Sequence, residues 1–270
     1  RHTRFKCDWS SDVCSSDLAG IDCAQFSRCT VVNTRFLDDR ANNGGAIRLF
    51  RAFGNLTDCI FRRNTASDGG GVCNVAQGGI VFNRCFMEDG RGTQGGLISV
   101  ESSSLSVYNS ELLHGSADAG GSLSLSDCTA DMQNVSVAFS NSDTNGGAVW
   151  ISNTSLLLRN CSLGSNRAGT YGAAVTATES VLTIEDSLIF NNTSANNGAI
   201  YMSASSMLAV SNSTFIQNSG NNGGAFALSE NCRAVMNNCL FINNSAAISG
   251  GVGFLSSSSI TSLEIGRAHV

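Results

Sequence analysis

The chain has 270 residues, of which 42% are hydrophobic and 14% charged, with a net charge of −5, no proline and 11 cysteines. A mildly acidic surface argues against nucleic acid and anionic membrane as partners. No hydrophobic run approaches the about 20 residues of a membrane-spanning helix, and without proline no strand loses a ladder donor that way.

Residues 12–18 read Asp-Val-Cys-Ser-Ser-Asp-Leu, and residues 264–270 read Glu-Ile-Gly-Arg-Ala-His-Val. The DNA string GACGTGTGCTCTTCCGATCT encodes the first, and its reverse complement, in a suitable frame, encodes the second. Both ends resemble a translated sequencing adapter. Residues 1–18 and 264–270 are therefore set apart from fold reasoning, and 19–263 is read as a repeat domain, a fragment of a longer protein. The rival for the first end is a genuine segment using Cys7 and Cys14 for a metal or a disulfide. The two ends carry four of the 16 basic and four of the 21 acidic residues, so the net charge is unchanged without them. Lys6 is the only lysine; His114 and Trp150 are the only histidine and tryptophan of 19–263.

A glycine pair then recurs along the chain. Its first position is held by Gly44, Gly70, Gly95, Gly120, Gly146, Gly172, Asn197, Gly223 and Gly250. A repeat this regular predicts a solenoid, in which each unit buries its core against its neighbours. Three residues after the first glycine lie Ile47, Cys73, Ile98, Leu123, Val149, Val175, Ile200, Phe226 and Gly253; five after it lie Leu49, Val75, Val100, Leu125, Ile151, Ala177, Met202, Leu228 and Leu255. Apolar residues two apart with a mostly polar one between them predict a half-buried strand. The glycines allow a sharp turn before it, with positive φ and close backbone approach.

A second alternation follows, as in Leu105/Val107 and Leu182/Ile184. It ends at a column of Asn33, Asp58, Asn83, Asn109, Asn134, Asn160, Asp186, Asn212 and Asn238. Such side chains suit turns and left-handed backbone, and stacked once per coil they are placed to bond to one another. A third apolar column is Phe36, Phe61, Phe86, Leu112, Val137, Leu163, Ile189, Phe215 and Phe241, followed by Asn64, Asn166, Asn192, Asn218 and Asn244. Three short strands and three turns per unit, with no helical period, predict an all-β, right-handed, single-stranded parallel β-helix. About nine coils of about 26 residues, stacked at about 4.8 Å, make a rod on the order of 43 Å long. The handedness is expected from known coils of this size.

The columns also carry a resemblance. Gly44-Gly45-Ala46-Ile47, Gly146-Gly147-Ala148-Val149 and Gly223-Gly224-Ala225-Phe226 resemble the GGA-[I/L/V] motif of polymorphic outer-membrane protein repeats. Phe61-Arg62-Arg63-Asn64, Phe215-Ile216-Gln217-Asn218 and Phe241-Ile242-Asn243-Asn244 resemble that family's FxxN motif. Gly120-Gly121-Ser122-Leu123 and Leu112-Leu113-His114-Gly115 depart from both. The resemblance implies a pectin-lyase-like β-helix in a secreted or surface-exposed passenger, often adhesive. Family passengers end in a membrane β-barrel, which nothing in 19–263 matches.

Each reactive residue has a bland reading and a functional one. Cys59, Cys161 and Cys239 follow the Asx column where Ser110, Ser187 and Ser213 stand in other coils, and Cys73 lies in an inward column; these read as small core fillers. Cys59 and Cys85 are 26 apart and are candidates for a disulfide between coils, although Cys85 is displaced by one from the column. No CxxC spacing suggests zinc. Asp38, Arg63 and Asp89 recur at coil spacing, with Arg62 and Glu88 beside them. They read as a salt-bridge ladder; a carbohydrate or calcium site is the rival. His114 falls in a turn. Trp150 and Tyr201 share an outward column; a simple surface or edge-packing role is the bland reading, and stacking on a sugar or a partner surface is the functional one. Asn55, Asn134, Asn153, Asn160, Asn191, Asn192, Asn212 and Asn243 begin glycosylation sequons.

No catalytic, cofactor-binding or metal-ligating set emerges. The expected function is a non-enzymatic extracellular or cell-surface segment, adhesin-like or a structural spacer, with a host or neighbouring cell-surface protein or glycan as partner. The alternative is a polysaccharide lyase or glycoside hydrolase of the same fold. Those enzymes need clustered carboxylates, for which Asp38, Asp39, Glu88 and Asp89 are the only candidates.

Overall fold

The computed structural model describes residues 2–5, 20–257 and 259–264. The remainder of 1–18 and of 264–270 lies outside the described residues. His2–Phe5, set apart at the level of sequence, forms a strand beside Arg28–Val32, and Glu264 closes the last strand.

Each coil passes through three strands, for example Ile47–Phe50, Phe53–Thr57 and Ile60–Arg62. A two-residue element such as Thr65–Ala66 adds a fourth side where the repeat pattern predicts only a turn. Equivalent strands of successive coils pair in parallel and in register. The third sheet holds nine strands, so the described residues make nine complete coils, and a further one begins at Gly253. This is the parallel β-helix that the repeat predicts.

The apolar columns line the interior. Val75, Val100, Leu125 and Ile151 stack in the first sheet, Val107, Met132, Leu158 and Ile184 in the second, and Leu112, Val137, Leu163 and Ile189 in the third. All are buried. Phe36 stacks on Phe61 at 4.9 Å between centroids, and Phe215 on Phe241 at 5.1 Å. Gly54 replaces a side chain in one inward column because Leu49 and Ile80 already fill the space; an added Cβ would lie 2.8 Å from Leu49 Cδ1.

Turns follow the expected chemistry with informative exceptions. Of the nine positions read as first glycines, seven have φ between +55° and +67°; Gly70 does not, and Asn197 pairs instead with Tyr171, one residue before Gly172. The Asx column is left-handed at Asn33, Asp58, Asn109, Asn134, Asn160, Asp186, Asn212 and Asn238. In the third coil the reading was one residue early. Arg84, not Asn83, takes the positive φ of 52°. Asn83 instead ends a strand, paired with Thr57 and Tyr108. The same step moves the third column from Phe86 to Met87, which is fully buried and pairs with Phe61, while Phe86 faces outward under the guanidinium of Arg62. A one-residue change of register exchanges the two faces of a strand. Pairing on both sides prevailed here over the local preference of Asn for a turn.

Two asparagine ladders run along the rod. The outer one joins Asn109 to Asn83 at 3.1 Å, Asn134 to Asn109 at 3.0 Å and Asn238 to Asn212 at 2.9 Å. The inner one is buried. Asn192 Oδ1 accepts from the Asn166 backbone N–H at 3.1 Å and from Asn166 Nδ2 at 3.0 Å, while Asn192 Nδ2 donates to the Leu163 carbonyl at 3.0 Å. Asn218 and Asn244 repeat this arrangement. The ladder satisfies backbone groups at a corner where the strands stop pairing, which burial demands.

Asn192→Ala is expected to cost about 1–3 kcal/mol per orphaned group in urea unfolding, and to accelerate hydrogen exchange at the Asn166 amide; an unchanged Asn166 amide would count against the ladder. Phe215→Ala is expected to cost about 3–5 kcal/mol by loss of buried volume.

Candidate functional site

Charged side chains stand outside the coils and pair from one coil to the next. Arg63 grips Asp38 with both nitrogens of its fork, Nε–Oδ1 at 2.6 Å and Nη2–Oδ2 at 2.7 Å. Arg84 grips Asp58 in the same way at 2.7 and 2.8 Å. Arg62 meets Glu88 at 3.1 Å and Arg159 meets Glu185 at 2.9 Å. Asp89 acts on Arg63 electrostatically from the next coil. The hydrogen bond from Arg63 holds the Asp38 carboxyl below its ordinary range, and Arg84 does the same for Asp58. The expected salt-bridge ladder is therefore present. Two of the four carboxylates on which the enzymatic alternative depends, Asp38 and Glu88, are bound by arginines. Among the described residues no three His, Cys, Asp or Glu side chains gather in a way that could hold a metal ion.

The outward face of the first sheet is organised differently. One column reads Ser124, Trp150, Thr176, Tyr201, Ala227, Phe254 from coil to coil. Large aromatic residues alternate with small ones. The small residues point away from the core and yet are buried, with Ser124 at 2%, Thr176 at 3% and Ala227 at 1% exposure. Side chains two coils apart lie on the order of 10 Å from one another, so the aromatic groups shield the small residues between them. Tyr171 joins this surface from the preceding turn and stacks on Tyr201 at 4.6 Å. Thr176 Oγ1 fixes that turn, donating to the Tyr171 carbonyl at 2.9 Å and accepting from the Gly146 N–H at 3.0 Å. Tyr201 and Ser229 share a hydroxyl hydrogen bond of 2.9 Å. Burial raises the Tyr201 phenol above its ordinary range. Ser152, Thr178 and Ser203 add hydroxyls in the neighbouring column. The result is a half-buried aromatic stripe with adjacent hydrogen-bonding groups and the Glu230 carboxylate near Tyr201.

Trp150 and Tyr201 were legible as partners in one column; Tyr171 was missed. It occupies the position of Asn145 and Asn197 in the neighbouring coils, and an aromatic residue in that asparagine column was the available signal. An open polar groove of about 360 Å³ is lined by Asn83, Tyr108, Asn109, Gln133 and Asn134. Tyr108 donates there to Asp131 at 3.1 Å. His114 lies exposed in its turn, stacked on Phe139 at 5.2 Å. Cys59, Cys73 and Cys161 are buried as expected, whereas Cys239 is half-buried. Cys23 and Cys29 form a disulfide. Among the sequons, Asn192 is fully buried in the inner ladder; the other seven asparagines are exposed.

A family model described as the right handed beta helix region matches residues 95–264. The chain belongs to the right-handed β-helix family. The match covers more than half of the sequence and gives the handedness of the coil. No curated protein and no solved structure matches the chain.

The lowered Asp38 and Asp58 values fix a sign. Their ionised forms favour the folded state above the ordinary carboxylate pKa of about 3.9, and that contribution is lost as pH falls through the lower folded-state value. Carbon NMR titration is expected to place both below a typical aspartate, and Arg63→Ala and Arg84→Ala to return Asp38 and Asp58, respectively, to the ordinary range. Since both pairs are exposed, the accompanying change in stability is small and shrinks with added salt.

Proposed function

We propose that the chain is a non-enzymatic β-helix segment of an extracellular or cell-surface protein, adhesin-like, which presents the aromatic stripe of Trp150, Tyr171 and Tyr201 to an uncharged glycan. The observation that carries this reading is the alternation of large aromatic and small buried residues on a face turned away from the core. Aromatic rings offer contact area at low entropic cost, and such residues dominate binding energy where they are desolvated. The adjacent hydroxyls suit sugar hydroxyls. The net negative charge, with no lysine in 19–263, disfavours acidic glycans. The GGA-[I/L/V] and FxxN columns support the further reading that these coils are of the polymorphic outer-membrane protein type, with its surface location.

A glycan array and a cell-binding assay test the proposal. Neutral glycans are expected to bind and to change Trp150 fluorescence, and Trp150→Ala or Tyr201→Ala to weaken binding about tenfold or more, equivalent to about 1.4 kcal/mol, in protein that keeps a native β-sheet spectrum. Binding to cells that survives removal of surface glycans would favour a protein partner. Well-folded protein that binds neither would leave a structural spacer. Cleavage of an acidic polysaccharide, lost on Asp38→Ala or Asp89→Ala, would replace the proposal with the enzymatic alternative.

A further inference from the structure

Cys59 and Cys85 occupy equivalent positions of neighbouring coils. The next residues, Ile60 and Phe86, pair in register, and the Phe86 N–H donates to the Cys59 carbonyl at 2.9 Å. Adjacent strands lie about 4.8 Å apart, within the Cα separation of about 4.4–6.8 Å that a disulfide requires. Both side chains are buried, and the thiols take the same place in their coils, Cys59 donating to the Val31 and Thr57 carbonyls and Cys85 to the Leu56 and Asn83 carbonyls. Other cysteines of these columns face different residues. Cys161 lies between Val135 and Ser187, Cys128 between Ser103 and Thr154, and Cys73 between Ile47 and Ile98.

We propose that Cys59 and Cys85 close a disulfide that ties the second coil to the third and fixes the register of the third. That coil carries two competing registers. Asn83 and Phe86 form a turn-and-core pair like those of other coils, one residue ahead of Arg84 and Met87, which the structure uses. In the earlier register Cys85 would shift by one position and turn to the other face. The bond therefore closes only in the register observed, and once closed it holds that register.

The chemistry is thiol–disulfide exchange. Either cysteine can attack first; written for Cys59, its thiolate is the nucleophile. It attacks a small-molecule disulfide, glutathione disulfide for instance, expels one glutathione thiolate and leaves a mixed disulfide. Cys85 passes its proton to the departing thiolate, attacks Cys59 Sγ and expels the second glutathione. Two protein thiols lose two electrons and two protons, and one glutathione disulfide becomes two glutathione molecules. Because both sulfurs are enclosed in the finished coil, the exchange takes place before the second and third coils have closed.

The full chain, refolded from denaturant with glutathione disulfide, is alkylated in denaturant and digested with trypsin. Cleavage after Arg51, Arg62, Arg84 and Arg91 places Cys59 in peptide 52–62 and Cys85 in peptide 85–91, each without another cysteine. The expected result is a linked 52–62/85–91 pair, lighter by two hydrogen atoms than the two free peptides together, with loss of both alkylated peptides; a reductant before alkylation restores them. Cys85→Ser places in this column the residue that Ser110 supplies one coil on, so the fold is retained. That variant is expected to yield Cys59 alkylated, and to lose less melting temperature than the native chain when reductant is added. Recovery of both peptides alkylated from oxidised protein with a native β-sheet spectrum, or of either cysteine joined to a different one, overturns the proposal.

Discussion

The structure depends on one constraint: each coil's backbone donors and acceptors are satisfied by the coils on either side. Parallel pairing at a spacing of about 4.8 Å leaves little freedom along the rod. A residue in one coil meets its equivalent in the next, so the sequence must repeat at the length of one circuit. The 25- and 26-residue steps of the glycine pair are that length written into the chain. From this follow the stacked inward columns and both asparagine ladders.

The constraint also explains why so much of the chemistry is committed to the scaffold. A polar side chain repeated once per coil meets its own kind, or its opposite charge, at hydrogen-bonding distance. Asparagines become ladders, arginines meet aspartates and glutamates, and serine, threonine and cysteine share columns because each can bond a carbonyl two residues back, as Ser110 and Cys59 do. A functional surface in such a molecule has to break that pattern. The stripe of Trp150, Tyr171 and Tyr201 does so, since its residues cover their neighbours and leave their rings partly open to solvent.

Where the sequence reading went wrong, the reason is physical. In the third coil, Asn83 has the better turn residue's chemistry and Phe86 the better core side chain, so a local reading selects them. Strand pairing on both sides selects Arg84 and Met87, because a ladder that is continuous through nine coils outweighs one turn preference and one ring. That shift also brought Cys85 opposite Cys59, which the displaced column had argued against. Similarly, the Asn192 sequon was ambiguous by sequence, and the inner ladder encloses it.

The sequence by itself determined the repeat, the inward columns, the all-β solenoid and the charge ladder, because each is a property of residues compared one coil apart. The tertiary structure decided what depends on absolute register and on side chains from different turns: Met87 over Phe86, the contact between Cys59 and Cys85, and the joining of Tyr171 to Tyr201. Periodicity is a relation between positions, and it survives a uniform reading of the chain. Register and surface shape are set only when every coil is packed between its two neighbours.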